Sequence, residues 1–446
     1  MNKLQTNICR GGVVTAILTY LFLLDGCYGA FYTQDQPAML LESLAESADR
    51  DSDYSDYVAS ADDGGRVWKS EHGTMTIEPG CFVTEGAVQG VFSYMERCYQ
   101  AVSALKMTET ADLFSGACDG NRELNRNAWE YLIGLRAMQK PDLTLEEYRF
   151  ELTVTAAVMK DDGSLYLHMN ENNVQRFTQH SDIESEFYRI AHRFEMVNQG
   201  GGWKIRKHLQ SDGIYQNLMG EYWDSDLDTC MEEDWEIRNA GGFFALRRES
   251  LLRQAKEQMI LRSRDNGSPS LPVTAHPYDR EAAVSYADRW IGVRNGDWAD
   301  FTGQGGNCQN FVSQCLYAGG IPRDISGGET WSWKRSDTAL PEDAKNTLPW
   351  INVEAFRSYT VRNRGYGLAV QRDAPYLSGE PGDIIQMGFP ERWSHTVLIT
   401  KVVTDREGRT VDYLVDSNTA DLRNVPVSAY SLPCQTLTKI AGWNER

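Results

Sequence analysis

The chain has 446 residues, 41% of them apolar, a length and content that fit about three domains with sizeable cores. Its formal net charge of −19 argues against nucleic-acid binding, which needs basic patches along a phosphate backbone. The acids crowd into 43–63 and 221–236 and read as solvated surface, and the spaced Asp49, Asp51 and Asp53 lack the glycine and glutamate of a calcium loop.

In chain order, Lys3 and Arg10 give a positive start, 13–24 is an uninterrupted apolar run, and Asp25 ends it. The run is short for a membrane span and suits a secretory signal peptide over 1–30, so a secreted or cell-surface protein is expected. "LDGC" (24–27) half-resembles a lipoprotein box, with Asp25 unsuited to it; an uncleaved anchor is the alternative. Beyond Cys9 and Cys27 there remain Cys81, Cys98, Cys118, Cys230, Cys308, Cys315 and Cys434, an odd number that leaves one thiol over in an exported protein. None is spaced CxxC, so no structural zinc is expected, and no metal or cofactor.

Residues 31–80 are acidic and weakly periodic and read as a flexible spacer. From 81 to 220 helical spacing (Val88, Val91, Phe92, Met95, Tyr99, Val102; then Trp129, Leu132, Leu135, Met138) gives way to period two in 148–159, 186–197 and 203–209, with "DDG" (161–163) as a hairpin turn. Helices followed by a long antiparallel sheet argue α+β. His192 falls on an apolar face, where a satisfied core or pocket-lining histidine is the usual outcome. Residues 221–275 read as a helical connector, with a helix over 241–267 ended by the linker "RDNGSPSLP".

The last domain, 276–446, opens on a helix that Pro277 and Asp279 suit. The loop "GDWADFTGQGGN" leads into "CQNFVSQCLYAG", a second helix stopped by Gly319, Gly320 and Pro322. Phe311, Val312 and Cys315 share a face with Cys308. Cys315, two turns in, is a core thiol; Cys308, at the amino-terminal tip, is the candidate nucleophile, its thiolate favoured by the helix dipole. A disulfide between them is rejected, since seven helical residues separate the Cα atoms by roughly 10 Å. A thiol nucleophile needs a base. His276 sits at the linker edge, whereas His395 begins the strand "HTVLITKVV". The next strand, in 411–421, carries Asn418 and Asp416, either of which is placed to orient the His395 ring. Gln304 and the Cys308 backbone N–H are candidates for an oxyanion hole. Trp331, Trp333 and Trp350 either line a groove or, more commonly, pack the domain.

The run "YDREAAVSYADRW…RN", "GGNCQNFVSQCLYAGGIP", "GDIIQM…SHTVLIT" and "SNTAD" resembles the putative amidase domain family of Gram-positive secreted proteins, itself similar to NlpC-type and CHAP cell-wall hydrolases. The resemblance implies a papain-like fold and a cysteine amidase or peptidase acting on peptide or peptidoglycan-type substrates, with Cys308, His395 and Asn418 in the catalytic roles. This chain departs from the family pattern at Asn307, usually Asp, and at Asn418, often His. Residues 81–220 resemble, in element order alone, the cone-shaped nuclear-transport-factor-like or SnoaL-like domains. A cell-surface binding protein with a decayed hydrolase domain and a cysteine transacylase are the competing readings.

Overall fold

The computed structural model describes residues 57–58, 66–224, 226–264, 267–302, 306–325, 330–332, 347–363 and 365–445. The expected signal peptide, most of the expected spacer, Gln304 and Trp333 lie outside the described residues. The chain divides into two units, 1–53 with 299–307, and 54–298 with 308–446. In the first, the Asn307 side chain accepts a hydrogen bond from the Phe301 N–H at 3.1 Å. All that follows concerns the second.

Strands β1 (Arg66–Lys69) and β2 (Gly73–Ile77) form a hairpin within the segment read as a flexible spacer, which corrects that reading for these residues. The reason is local alternation: Met75 and Ile77 are buried, and Gly73 lets the backbone lie on the Phe150 ring, where a Cβ would come within 2.3 Å. Helices α1 (Glu85–Ser103) and α2 (Asp119–Ala137) follow. The Thr84 hydroxyl caps α1 by accepting the Ala87 N–H. Then come β3 (Leu145–Met159), β4 (Leu165–Phe177), β5 (Ser185–Gln199) and β6 (Gly202–Gln210), successive antiparallel neighbours. Val88, Val91 and Met95 of α1 pack on Leu152, Val154 and Leu167 of the sheet, the period-3.6 face meeting the period-2 face.

Helix α3 (Phe243–Ser263) leads to α4 (Arg280–Trp290), whose start is capped by Asp279 accepting the Ala282 N–H at 2.9 Å. Helices α5 (Cys308–Ala318) and α6 (Val353–Arg362) precede β7 (Gly367–Ala374), β8 (Ile384–Phe389), β9 (Arg392–Thr404), β10 (Thr410–Asn418), β11 (Asp421–Pro426) and β12 (Cys434–Asn444). The architecture is α+β.

Among the described residues these twelve strands form one sheet, in the order β1-β2-β3-β4-β5-β11-β10-β9-β8-β12-β7, with β6 also on β5. The β2–β3 pair is parallel. The segments 81–220 and 276–446, expected as separate domains, are therefore joined at β5 and β11, where Phe187 lies opposite Leu422 and Glu186 opposite Arg423. Side chains reinforce the joint: the Tyr131 hydroxyl donates to the Ser431 carbonyl at 3.0 Å, and the Asn217 amide donates to the Ser431 hydroxyl at 2.8 Å. An edge strand left open on either half would expose unpaired N–H and C=O groups, and the two residue pairs between β5 and β11 cover part of both edges.

Candidate active site

Helix α5 places the candidate nucleophile. It starts at Cys308 and stops where Gly320 adopts φ +88°. Gly319 lies so close to the segment that leads into α4 that a Cβ would come within 2.2 Å of the Tyr278 ring. The sequence pattern gives α5 one buried face; the structure buries Cys308 through Leu316 all round. Two polar members of that run, Ser313 and Asn310, are satisfied by the tryptophans beside them, while the buried Gln309 Oε1 accepts no hydrogen bond among the described residues. Ser313 Oγ donates to the Trp350 carbonyl and accepts the Trp331 indole N–H, while the Trp350 N–H meets Asn310 Oδ1. Trp331 and Trp350, 4.6 Å apart between ring centroids, are thus core residues and line no groove. Cys315 is fully buried, its thiol pushed well above the ordinary value by burial. The seven cysteines from Cys81 to Cys434 are all free and all buried.

Cys308 lies against β9. Its Sγ is 4.0 Å from the carbonyl oxygen of Ser394, the residue before His395. The strand is irregular here: Met387 pairs with His395 but Gly388 with Trp393, so Ser394 is the extra residue of a bulge. Bulges re-aim side chains, and this one sits beside the thiol. Burial raises the Cys308 thiol above its ordinary value, partly offset by the Thr396 and Gln309 N–H groups and the Thr419 hydroxyl. Burial thus opposes the thiolate that the helix terminus favours. His395 is half-buried, and burial pushes its pKa down to about 4. At neutral pH the resting site holds a protonated thiol and a neutral imidazole. Among the described residues no hydrogen bond joins Cys308 Sγ to the His395 ring.

The group that touches the ring is Ser417, whose Oγ lies 3.1 Å from His395 Nε2. Tyr430 packs on the same ring, centroids 5.5 Å apart. Asn418 and Asp416, expected as orienters, flank Ser417 in β10. Alternation sends their side chains to the opposite face of the strand, which corrects that placement. Asp416 Oδ1 instead accepts the Asn424 N–H at 2.9 Å, and its carboxyl is pushed up to about 7 by burial. Asn418 is buried, and its carbonyl accepts from Arg294. Of the expected site residues, the structure brings Cys308 and His395 to one stretch of β9 and leaves the two carboxamide and carboxylate candidates off the ring. His276 is engaged elsewhere, stacked on Trp443 and bonded to Glu445.

The expectation for His192 is met by a buried polar cluster. Its Nε2 is 2.8 Å from Glu171 Oε2 and its Nδ1 is 3.0 Å from His208, which in turn meets Asn125. Glu171, Asn173 and Gln175 continue the cluster along the core face of β4, and the Tyr99 hydroxyl donates to Glu171. Among the described residues no group of histidine, cysteine and carboxylates is arranged to hold a metal.

Residues 277–440 match the model of a family described as "Putative amidase domain". The chain is 31% identical over 153 residues to "Uncharacterized protein YhbB" of Bacillus subtilis (strain 168), a match covering 33% of this chain and 44% of that protein. The chain thus spans less than half the length of the curated relative it matches. A solved structure, the intermembrane space region of the chloroplast protein ARC6, aligns with 28% of this chain and 92% of its own length at 18% identity, with a TM-score of 0.19. The region that holds α4, α5 and the strands around His395 is therefore the region that matches an amidase family, and amide hydrolysis is the activity the match points to.

Proposed function

We propose that this protein is a cysteine-dependent amidase or peptidase in which Cys308 is the nucleophile and His395 the general base. The observation that carries the reading is the placement of a buried thiol, at the first residue of a helix, against the strand segment 394–396 that holds a neutral imidazole. His395, unprotonated at pH 7, takes the Cys308 proton as sulfur attacks an amide carbonyl carbon. The Cys308 backbone N–H, at the first residue of α5, is the proposed donor to the developing oxyanion. The imidazolium returns the proton to the leaving amine, and water then cleaves the thioester. The proposed substrate is cell-wall peptide, and the proposed place of action is the cell surface or the medium. The similarity to an amidase family supports cleavage of an amide bond, and the apolar run at 13–24 supports the place of action.

The test is hydrolysis of peptidoglycan fragments and of simple peptide amides by the full chain and by Cys308→Ala. The reading expects amine release by the former and none by the latter. Equal release by both would overturn it. Binding to cell-wall fragments without any turnover would favour the non-catalytic alternative.

A further inference from the structure

We propose that Ser417 is the positioning residue of the site, fixing both the orientation and the tautomer of the His395 ring; the inference rests on the reading of His395 as the base. Three adjacent residues of β10 are near enough in sequence to serve. Asp416 and Asn418 are on the face away from the ring. Ser417 shares its face with Tyr413 and Val415, which pack with Met387 and Val397 in one apolar cluster, and it is fully buried. A hydroxyl at the end of an apolar row has few partners; this one meets His395 Nε2 and the Thr419 carbonyl oxygen, each at 3.1 Å, and lies beside the Tyr430 hydroxyl, which can donate to its remaining lone pair.

Counting hydrogens decides the tautomer. A carbonyl oxygen only accepts, so the single Ser417 hydroxyl hydrogen must lie toward Thr419. Were it turned toward Nε2 instead, two oxygens would face each other at 3.1 Å with no hydrogen between them. With the hydrogen on Thr419, the contact to the ring is satisfied only if Nε2 carries a proton and donates it to Ser417. The lone pair is then on Nδ1, and that nitrogen receives the thiol proton.

The acceptor that sets this arrangement is itself held. Thr419 and Ala420 form the turn between Asn418 and Asp421, with Ala420 at φ +47°. Arg294 fastens the turn, donating to Asp421 Oδ1 at 3.0 Å and to the Asn418 carbonyl at 3.2 Å. The sequence offers two side chains with stronger acceptors on either side of Ser417, and the pleat turns both away.

The experiment is a long-range proton–nitrogen spectrum of the full chain labelled with ¹⁵N-histidine at pH 7, His395→Gln identifying the resonance. The expected result is the Nε2–H tautomer in the wild type and loss of that single tautomer in Ser417→Ala. Amide hydrolysis by Ser417→Ala should fall about tenfold in kcat with KM little changed, as for loss of one hydrogen bond that acts on the base. Ser417→Thr, which keeps the hydroxyl, should restore the tautomer and the rate. A wild-type ring protonated on Nδ1 would overturn the proposal, as would a Ser417→Ala protein with unchanged tautomer and kcat. The wild-type spectrum needs no variant to fold and no substrate. Retained hydrolysis by Cys308→Ala, by contrast, would strike the reading of the nucleophile and leave the tautomer result standing.

Discussion

His395 makes the account quantitative, because its environment selects the neutral form. Its pKa falls from 6.5 to about 4 through burial. The unfolded chain therefore binds a proton at this ring as pH falls below 6.5, while the folded chain resists until about 4. Stability from this group is whole above pH 6.5 and declines across that window, by roughly 3 kcal/mol at pH 4. Other buried acids titrate too: Asp412 is pushed up to about 6 and Asp416 to about 7, and both act in the opposite sense. The comparison with His395→Gln removes them, since both proteins keep those acids. Denaturant titrations of wild type and His395→Gln at pH 7 and pH 4 should show the wild type losing about 3 kcal/mol more than the variant. The same argument puts the acid limb of kcat/KM near pH 4 instead of near 6.5. A pH-dependent difference below about 1 kcal/mol, or an acid limb near the ordinary histidine value, would refute the half-buried, neutral base.

Trp350→Ala should destabilise by about 3–5 kcal/mol, seen as a lower denaturation midpoint, because a fully buried indole packed against Trp331 is removed from beside α5. Gly319→Ala should cost about 1–3 kcal/mol by the same measurement, since its methyl would meet the Tyr278 ring at 2.2 Å and the Asp279 carbonyl at 2.8 Å. Wild-type stability in the first variant would refute the packing of Trp350 beside α5, and in the second the close approach of Gly319 to Tyr278.

Much of this was legible in residues alone. The helix over 308–318 follows from "CQNFVSQCLYA" and its glycine stop, and the distinction between Cys308 and Cys315 follows from counting turns. The strands around His395 and the four long strands of 145–210 follow from period two. Three features were not legible, each for a physical reason. The joint between β5 and β11 is backbone pairing at long range, which no local pattern encodes. Ser417 escaped because β10 is buried on both faces, so "YLVDSN" offers no polar side from which to count alternation. The electrostatics of Cys308 escaped because a helix terminus is visible in sequence, whereas the depth of its burial is not. Asn418 and Asp416 drew attention as better acceptors than a serine; the pleat, not the chemistry, decides which side chain meets the ring.

The most direct test of the central claim is the intact mass of the full chain quenched during reaction with an activated ester or amide of a cell-wall peptide. The account predicts an acyl adduct, mapped to Cys308 by peptide mass spectrometry, that accumulates and then decays as product appears. It predicts no adduct in Cys308→Ala and slowed formation in His395→Gln. Turnover with no adduct at Cys308, or an adduct at another residue, would contradict it.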